Sequence, residues 1–223
     1  MSVPAAVLFD LDGTLVDSLP ALRRAMNALL AEMGRPPVGA DELRGWIGDG
    51  ARALVERCLV ASGGLSDLPL ADSVKRYLAH YRGHTAEDCQ PYPGVGGALR
   101  ALKEAGHPLG VCTNKPTDLS VELLTALGLA PFFSAIVGGD AVARPKPDGL
   151  HVLTTLDRMG AAGHRALMVG DSANDVAAAR AAGCPVVVVS FGYSQVVPKD
   201  LGADAVIDDF ADLTRVAARY LQG

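Results

Sequence analysis

The feature that most constrains this chain is an alternation. Short apolar runs, often β-branched and bounded by Gly, Pro or Asp, recur at 7–9, 109–112, 135–137, 166–169, 185–189 and 205–207. Each has the length of a strand. Helical periodicity fills the intervals at Val95–Glu104, 120–127, Gly149–Arg158 and 174–181. Gly106, Gly128, Gly160 and Gly183 stand where those helices would end. Apolar strands alternating with helices predict a parallel sheet covered on both faces. The predicted class is α/β, a doubly wound, Rossmann-like sheet.

One segment breaks the rhythm. Between residues 18 and 88 no convincing strand is present, and the pattern is helical at Leu19–Glu32, 41–59 and Leu70–Tyr81. Gly- and Pro-rich joints at 34–39 and 62–69 separate these pieces. The reading is a helical module of roughly 70 residues inserted after the first strand, a normal size for a subdomain. It places a discontinuous core at 1–16 and 90–223 and the insert at 17–89. Cys89-Gln90-Pro91-Tyr92-Pro93-Gly94 reads as the return hinge, stiffened by its prolines.

Composition removes several function classes. The 223 residues carry 20 basic and 25 acidic side chains, a net charge of −5, which argues against nucleic acid as the main partner. A hydrophobic share of 49% excludes wholesale disorder. No apolar run approaches the roughly 18 to 20 residues of a membrane span, so no membrane partner is expected. Residues 1–9 lack the basic and apolar stretches of a cleavable leader. Cys58, Cys89, Cys112 and Cys184 are scattered without a CxxC pair. That suits neither a zinc site nor a disulfide framework, and a reducing cytoplasm is expected.

Four short segments carry the acids and cations that chemistry would need. In Phe9-Asp10-Leu11-Asp12-Gly13-Thr14, two acids two apart leave the first strand. At strand period both face one way, at the carboxyl edge where open α/β sheets bind ligands. Adjacent carboxylates repel, and a divalent cation such as Mg²⁺ is the simplest compensation. One carboxylate could then attack phosphorus while the other moves a proton. Taken alone, the same pattern also suits an acidic turn that caps a helix.

In Gly170-Asp171-Ser172-Ala173-Asn174-Asp175, Asp171 ends a strand and Asp175 sits in the first turn of the next helix. Capping explains Asp175 by itself; Asp171 together with Asp10 and Asp12 favours a metal site. Thr113 and Asn114 offer a hydroxyl, an amide and a helix start to an anion, although Thr-Asn is also ordinary turn chemistry. In Arg144-Pro145-Lys146-Pro147, two prolines fix a lysine that would face a phosphoryl group, or that would be a solvated loop lysine.

Other patterns carry less. Gly48-Asp49-Gly50-Ala51-Arg52-Ala53 fits GxGxxA, but no strand precedes it, so a dinucleotide fold is not indicated. His80 and His84 have i, i+4 spacing without an evident acid partner and read as surface residues. Asp208-Asp209 reads as a loop after the last strand.

Together and in this order, DLDGTLVDS, VCTNK, RPKP and GDSAND resemble the haloacid dehalogenase-like superfamily, over about residues 7 to 209. The helical insert is similar to that family's cap. The resemblance implies a Mg²⁺-dependent phosphomonoester hydrolase. In it Asp10 is the nucleophile, Asp12 the acid/base, and Lys146 the charge-steadying lysine. Thr113 and Asn114 hold phosphate. Asp171 ligates the metal with the Asp10 carboxylate and the Asp12 carbonyl, and Asp175 supports the metal shell or the lysine. It also implies that the first strand lies between the second and the fourth.

Trp46-Ile47-Gly48-Asp49-Gly50-Ala51, Leu54-Val55-Glu56-Arg57, Gly138-Gly139-Asp140 and Phe191-Gly192-Tyr193 look most like the phosphoglycolate phosphatase branch. For a small carboxylate substrate, Gly48 and Gly50 with Arg52 form a candidate cradle, and Arg44 and Lys75 are further candidate cations. Each of these also reads as a solvated helix charge. A pyrophosphatase or a broad sugar-phosphate phosphatase stays open, and so, further off, do a phosphoglucomutase-like enzyme and a non-enzymatic phosphoacceptor module. Asp12 speaks against a dehalogenase, which lacks the second acid. The partner expected is a small phosphomonoester, bound by a monomer or a homodimer.

Overall fold

The computed structural model describes residues 5–65 and 68–221. Its strands are β1 (Ala6–Phe9), β2 (Val16–Asp17), β3 (Gln90–Pro91), β4 (Leu109–Thr113), β5 (Ala135–Gly138), β6 (Ala166–Gly170), β7 (Val186–Val189) and β8 (Ala205–Ile207). Its helices are α1 (Leu19–Glu32), α2 (Ala40–Arg44), α3 (Gly50–Ala61), α4 (Leu70–Tyr81), α5 (Val95–Glu104), α6 (Thr117–Ala126), α7 (Gly149–Arg158), α8 (Ala173–Ala181) and α9 (Leu213–Leu221).

Every residue of β1 is buried, and its side chains alternate between two apolar clusters. Val7 and Phe9 join Leu99, Leu102, Leu213 and Val216 of α5 and α9; Ala6 and Leu8 join Val152, Leu156, Ala178 and Ala179 of α7 and α8. A strand apolar on both faces belongs inside a sheet with helices on each side. β1 pairs in parallel with β4 on one side and β6 on the other. The full order is β5-β4-β1-β6-β7-β8, parallel throughout. The strand carrying the first motif thus lies between those carrying the second and the fourth. The loops after β1, β4 and β6 leave the same edge side by side, where ligands of such sheets bind.

β2 and β3 form an antiparallel ribbon that pairs Val16 with Pro91 and Asp17 with Gln90. Between these strands the chain makes α1 to α4. α1 packs against α4 and α2, and α3 packs against α4. The contact face of α1 follows helical spacing, with Leu22, Met26 and Leu29 buried. On α4 the buried face is Ser73, Tyr77 and Tyr81, each one turn from the next. No described helix is long and apolar enough to cross a membrane.

Some expectations change. The single helix expected at 41–59 is two, α2 and α3, because glycines 45, 48 and 50 interrupt it and Gly48 has φ +122°. The helix after the second motif starts at Thr117 rather than residue 120, because Pro116 is extended and opens it. α9 and the β2–β3 ribbon were not expected. A two-residue strand has no periodicity to read, whereas α9 buries Leu213, Val216, Ala217 and Leu221 at legible spacing. His80 and His84 lie at the surface, but each does have an acid, Glu32 at 2.7 Å and Glu87 at 2.6 Å. Asp208 and Asp209 follow β8 in a loop, and Asp209 accepts from Ala211 N–H. The joint at 62–69 falls partly on Ser66 and Asp67, and the leader reading partly on residues 1–4; both lie outside the described residues.

Phe9 is fully buried, with Phe133 edge-on at 6.2 Å and Phe210 stacked at 6.4 Å. Phe9→Ala should therefore cost about 3 to 5 kcal/mol, read as a lower denaturant midpoint. A loss under about 1 kcal/mol would show that β1 is not the packing centre.

Candidate active site

Asp10 extends β1 by one residue, and its N–H donates to Val169 O at 2.9 Å, so the neighbouring strand fixes it. The chain then turns at Gly13, with φ +84°. A Cβ there would stand 2.6 Å from Asp171 Oδ2, so glycine is needed for both conformation and space. Thr14 Oγ1 donates to Asp171 Oδ1 at 3.3 Å, and Tyr193 N–H donates to Asp171 Oδ2 at 2.6 Å. Asp171 is thereby aimed across the strand end at Asp10.

Asp175 acts as both a helix cap and a lysine partner. Its Oδ2 accepts from the N–H groups of Asp171 and Ser172 at 3.1 and 3.0 Å, and from Ser172 Oγ at 2.7 Å. This is a capping box at the start of α8. Its Oδ1 takes Lys146 Nζ at 2.6 Å. Lys146 is buried, and its ammonium also stands 3.0 Å from Asp10 Oδ1, without hydrogen-bond alignment. His151, which the sequence reading passed over, braces this loop. Its Nδ1 accepts from Lys146 N–H at 3.2 Å, and its Nε2 donates to Val137 O at 3.1 Å. Burial and the Lys146 charge lower His151 to about 4, so it stays neutral in that role. Only its position five residues after the lysine hinted at this.

Asp10, Asp171 and Asp175 offer carboxylate oxygens that all lie within 4.8 Å of one another. Three buried carboxylates here face one ammonium. Burial pushes Asp10 up to about 6, with Lys146 pulling it down and Asp175 adding to the rise. Burial, then Asp175 and Asp10, push Asp171 well above the usual carboxylate range. Burial disfavours the Lys146 charge, but Asp10 and Asp175 outweigh it and hold this lysine above its ordinary value. The cluster lacks positive charge, its donors are all oxygen, and Asp10 Oδ1 is buried without a hydrogen bond. These residues fit a hard divalent cation. Asp175 has both oxygens engaged, which leaves Asp10 and Asp171 as the open donors.

Asp12 faces a different set of partners. Ser18 Oγ donates to its Oδ1 at 2.6 Å, and Lys115 Nζ lies 3.1 and 3.2 Å from its two oxygens. Lys115 also reaches Tyr81 Oη of α4 at 2.9 Å. Lys115 was given no role from sequence, although it directly follows Thr113-Asn114 at a strand end. Thr113 Oγ1 accepts from Lys115 N–H at 3.3 Å, which leaves its own proton to donate. Asn114 Nδ2 donates to Gly48 O and Lys146 O, both at 2.9 Å, and so ties the insert to two core loops.

A cavity of about 50 Å³ joins these groups, and Asp10, Asp12, Thr113, Asn114, Gly48 and Gly50 border it. Arg52 and Lys75 are exposed and lie outside its lining. Arg44 packs over the Tyr193 ring at 5.6 Å. The carbonyl of Gly48, rather than its N–H, is the group turned to the core.

The family model of haloacid dehalogenase-like hydrolases matches residues 7–189. The chain belongs to this family. Phosphoglycolate phosphatase of Caulobacter vibrioides is 45% identical over 218 residues, spanning 97% of this chain and 92% of that one. Its counterpart from Rhodospirillum rubrum is 46% identical over 216 residues, 95% and 90% of the two chains. A crystal structure of a predicted phosphoglycolate phosphatase from Haemophilus somnus superposes with TM-score 0.91 at 33% identity, covering 97% and 99%. CbbY from Rhodobacter sphaeroides in complex with phosphate gives TM-score 0.79 at 29% identity, covering 95% and 96%. This hydrolase is thus an enzyme of the phosphatase type, close to the phosphoglycolate phosphatases.

The raised carboxyls have a consequence for the metal-free enzyme. Asp10 binds its proton more tightly folded, at about 6, than in the unfolded chain. Stability from that proton is complete below the unfolded value and is lost as pH rises through about 6. In chelator, the thermal midpoint should rise as pH falls from 7.5 to 5.5. Asp10→Asn should flatten that slope, and an equal slope in the variant would remove Asp10 as its source.

Proposed function

We propose that this phosphatase hydrolyses 2-phosphoglycolate to glycolate and phosphate through a phosphorylated Asp10, with Mg²⁺ as its metal. The observation that carries the reading is the division of two neighbouring carboxylates between two lysines, Asp10 with Lys146 and Asp12 with Lys115. One is set for attack and the other for proton transfer. The names of relatives 45% and 46% identical support the substrate.

The Asp10 and Asp171 carboxylates, with the Asp12 carbonyl, would hold the Mg²⁺. When bound it would neutralise charge on the phosphoryl group and on the carboxylate facing it. Lys146 adds a second positive charge beside Asp10, and the Thr113 hydroxyl orients a phosphoryl oxygen. An Asp10 oxygen attacks phosphorus while the bond to the glycolate oxygen breaks. Asp12, protonated, gives its proton to that oxygen, and glycolate leaves. A water then attacks the same phosphorus and gives its proton to Asp12. The bond to Asp10 breaks, and inorganic phosphate leaves with both residues restored. Tyr77 and Tyr81 of α4 and Gly48 of the turn before α3 border the cavity and exclude bulk water, which would screen these charges. Cys58, Cys89, Cys112 and Cys184 are free and buried, which suits work in a reducing cytoplasm.

Phosphate release with Mg²⁺ should be compared across 2-phosphoglycolate, pyrophosphate, β-glucose-1-phosphate and an aryl phosphate. kcat/KM should be highest for 2-phosphoglycolate; a flat profile would remove the substrate assignment. Asp10→Asn should keep the fold and lose turnover by more than about a thousandfold. Unimpaired turnover in that variant would overturn the phosphoaspartate route.

A further inference from the structure

Beyond Asp12 the cavity runs into the helical insert, and hydrogen bonding there does not close. Tyr77 is 1% exposed and borders the cavity, and its Oη has no hydrogen-bond partner among the described residues. A buried phenol is expected to find one. Tyr77 and Tyr81 lie one turn apart on α4 with stacked rings, centroids 6.4 Å apart. Tyr81 Oη takes Lys115 Nζ at 2.9 Å, and that ammonium sits 4.4 Å above the Tyr81 ring centroid. An unpaired O–H donor and a buried cation thus border one end of the cavity. The nearby wall is apolar, formed by Leu22, Leu54, Leu78 and Leu119. A hydroxyl donor without an acceptor, beside a buried ammonium and in a setting of low polarity, selects an anionic oxygen.

We propose that Lys115 Nζ and Tyr77 Oη form the subsite for a carboxylate on the leaving group, so that the enzyme selects small phosphorylated hydroxy acids. This rests on the hydrolytic reading above, and it puts the specificity on a core lysine and an insert tyrosine rather than on Arg52. A phosphoryl group at Asp10 would place its leaving oxygen toward Asp12, and a carboxylate two bonds further on would meet these donors.

The test compares kcat/KM for 2-phosphoglycolate with that for 2-hydroxyethyl phosphate, which has the same carbons and no carboxylate. Wild type should favour 2-phosphoglycolate. In Tyr77→Phe that ratio should fall about tenfold, mainly through KM for 2-phosphoglycolate. Its thermal midpoint should equal or exceed wild type, because an unpaired hydroxyl has been removed. Lys115→Met should lower the ratio further. A purely structural role would depress both substrates together. An unchanged ratio in Tyr77→Phe overturns the subsite while the phosphoglycolate reading stands. A wild-type ratio near one overturns that reading and the subsite with it.

Discussion

The site depends on a shortage of positive charge. Asp10, Asp171 and Asp175 converge in a buried space, and among the described residues Lys146 is the one ammonium that contacts them. Burial makes each ionised carboxylate costly, and a single lysine cannot neutralise three. A divalent cation would make up the difference, and the backbone is arranged to keep the cluster poised for one. Asp175 is saturated by Lys146 and by the first turn of α8, whereas each Asp171 oxygen accepts one hydrogen bond, from Thr14 or Tyr193, and keeps a lone pair for a cation. Asp10 alone keeps an oxygen without a hydrogen bond. In the proposed reaction that residue would meet phosphorus. The carboxylate with the fewest hydrogen bonds is the one free to react.

A second constraint is that core and insert share polar groups. Asn114 spends its amide protons on Gly48 O of the insert and Lys146 O of the core. Lys115 bridges Asp12 and Tyr81. Tyr193 Oη accepts from Ser18 and Leu19 N–H at the start of α1, while its own N–H holds Asp171. Ser18 does not cap α1 with its side chain, because its hydroxyl is used by Asp12. The roof over the cavity is thus held by the groups that orient the reacting carboxylates.

Local periodicity made most of the fold legible. β1, β4, β6 and β7 are fully buried apolar runs, and α1, α4, α5 and α7 follow the expected bounds because one face of each is apolar. The break at 45–49 was harder to read, since apolar residues on both sides keep helical phase across three glycines. In the site, the residues of the four motifs were legible because acids, a hydroxyl and a lysine stood at strand ends. Lys115, His151, Tyr77 and Tyr193 were not. Lys115 and Tyr193 work through partners distant in sequence, as Tyr193 does with Ser18, 175 residues away, and no local pattern encodes such a pair; His151 braces nearby backbone groups, and Tyr77 matters through the cavity it borders. Arg52 illustrates the reverse case: a charge next to a glycine turn invites a role, while its side chain is exposed and outside the cavity lining.

The central place of β1 also shapes how the molecule is made. Val7 pairs with Leu109 on one side and Leu167 on the other, and Thr14 meets Asp171 across 157 residues. Of the sheet strands, β1 is synthesised first, and it is flanked on both sides only once β6 has emerged. Parallel pairings so distant are slow, because a long loop must close before any contact rewards it. The helices of the insert make nearby contacts and can assemble while the rest of the chain is still emerging. Asp10 therefore spends much of synthesis at the end of a strand paired on one side at most, and it meets Asp171 and Asp175 only when β6 docks.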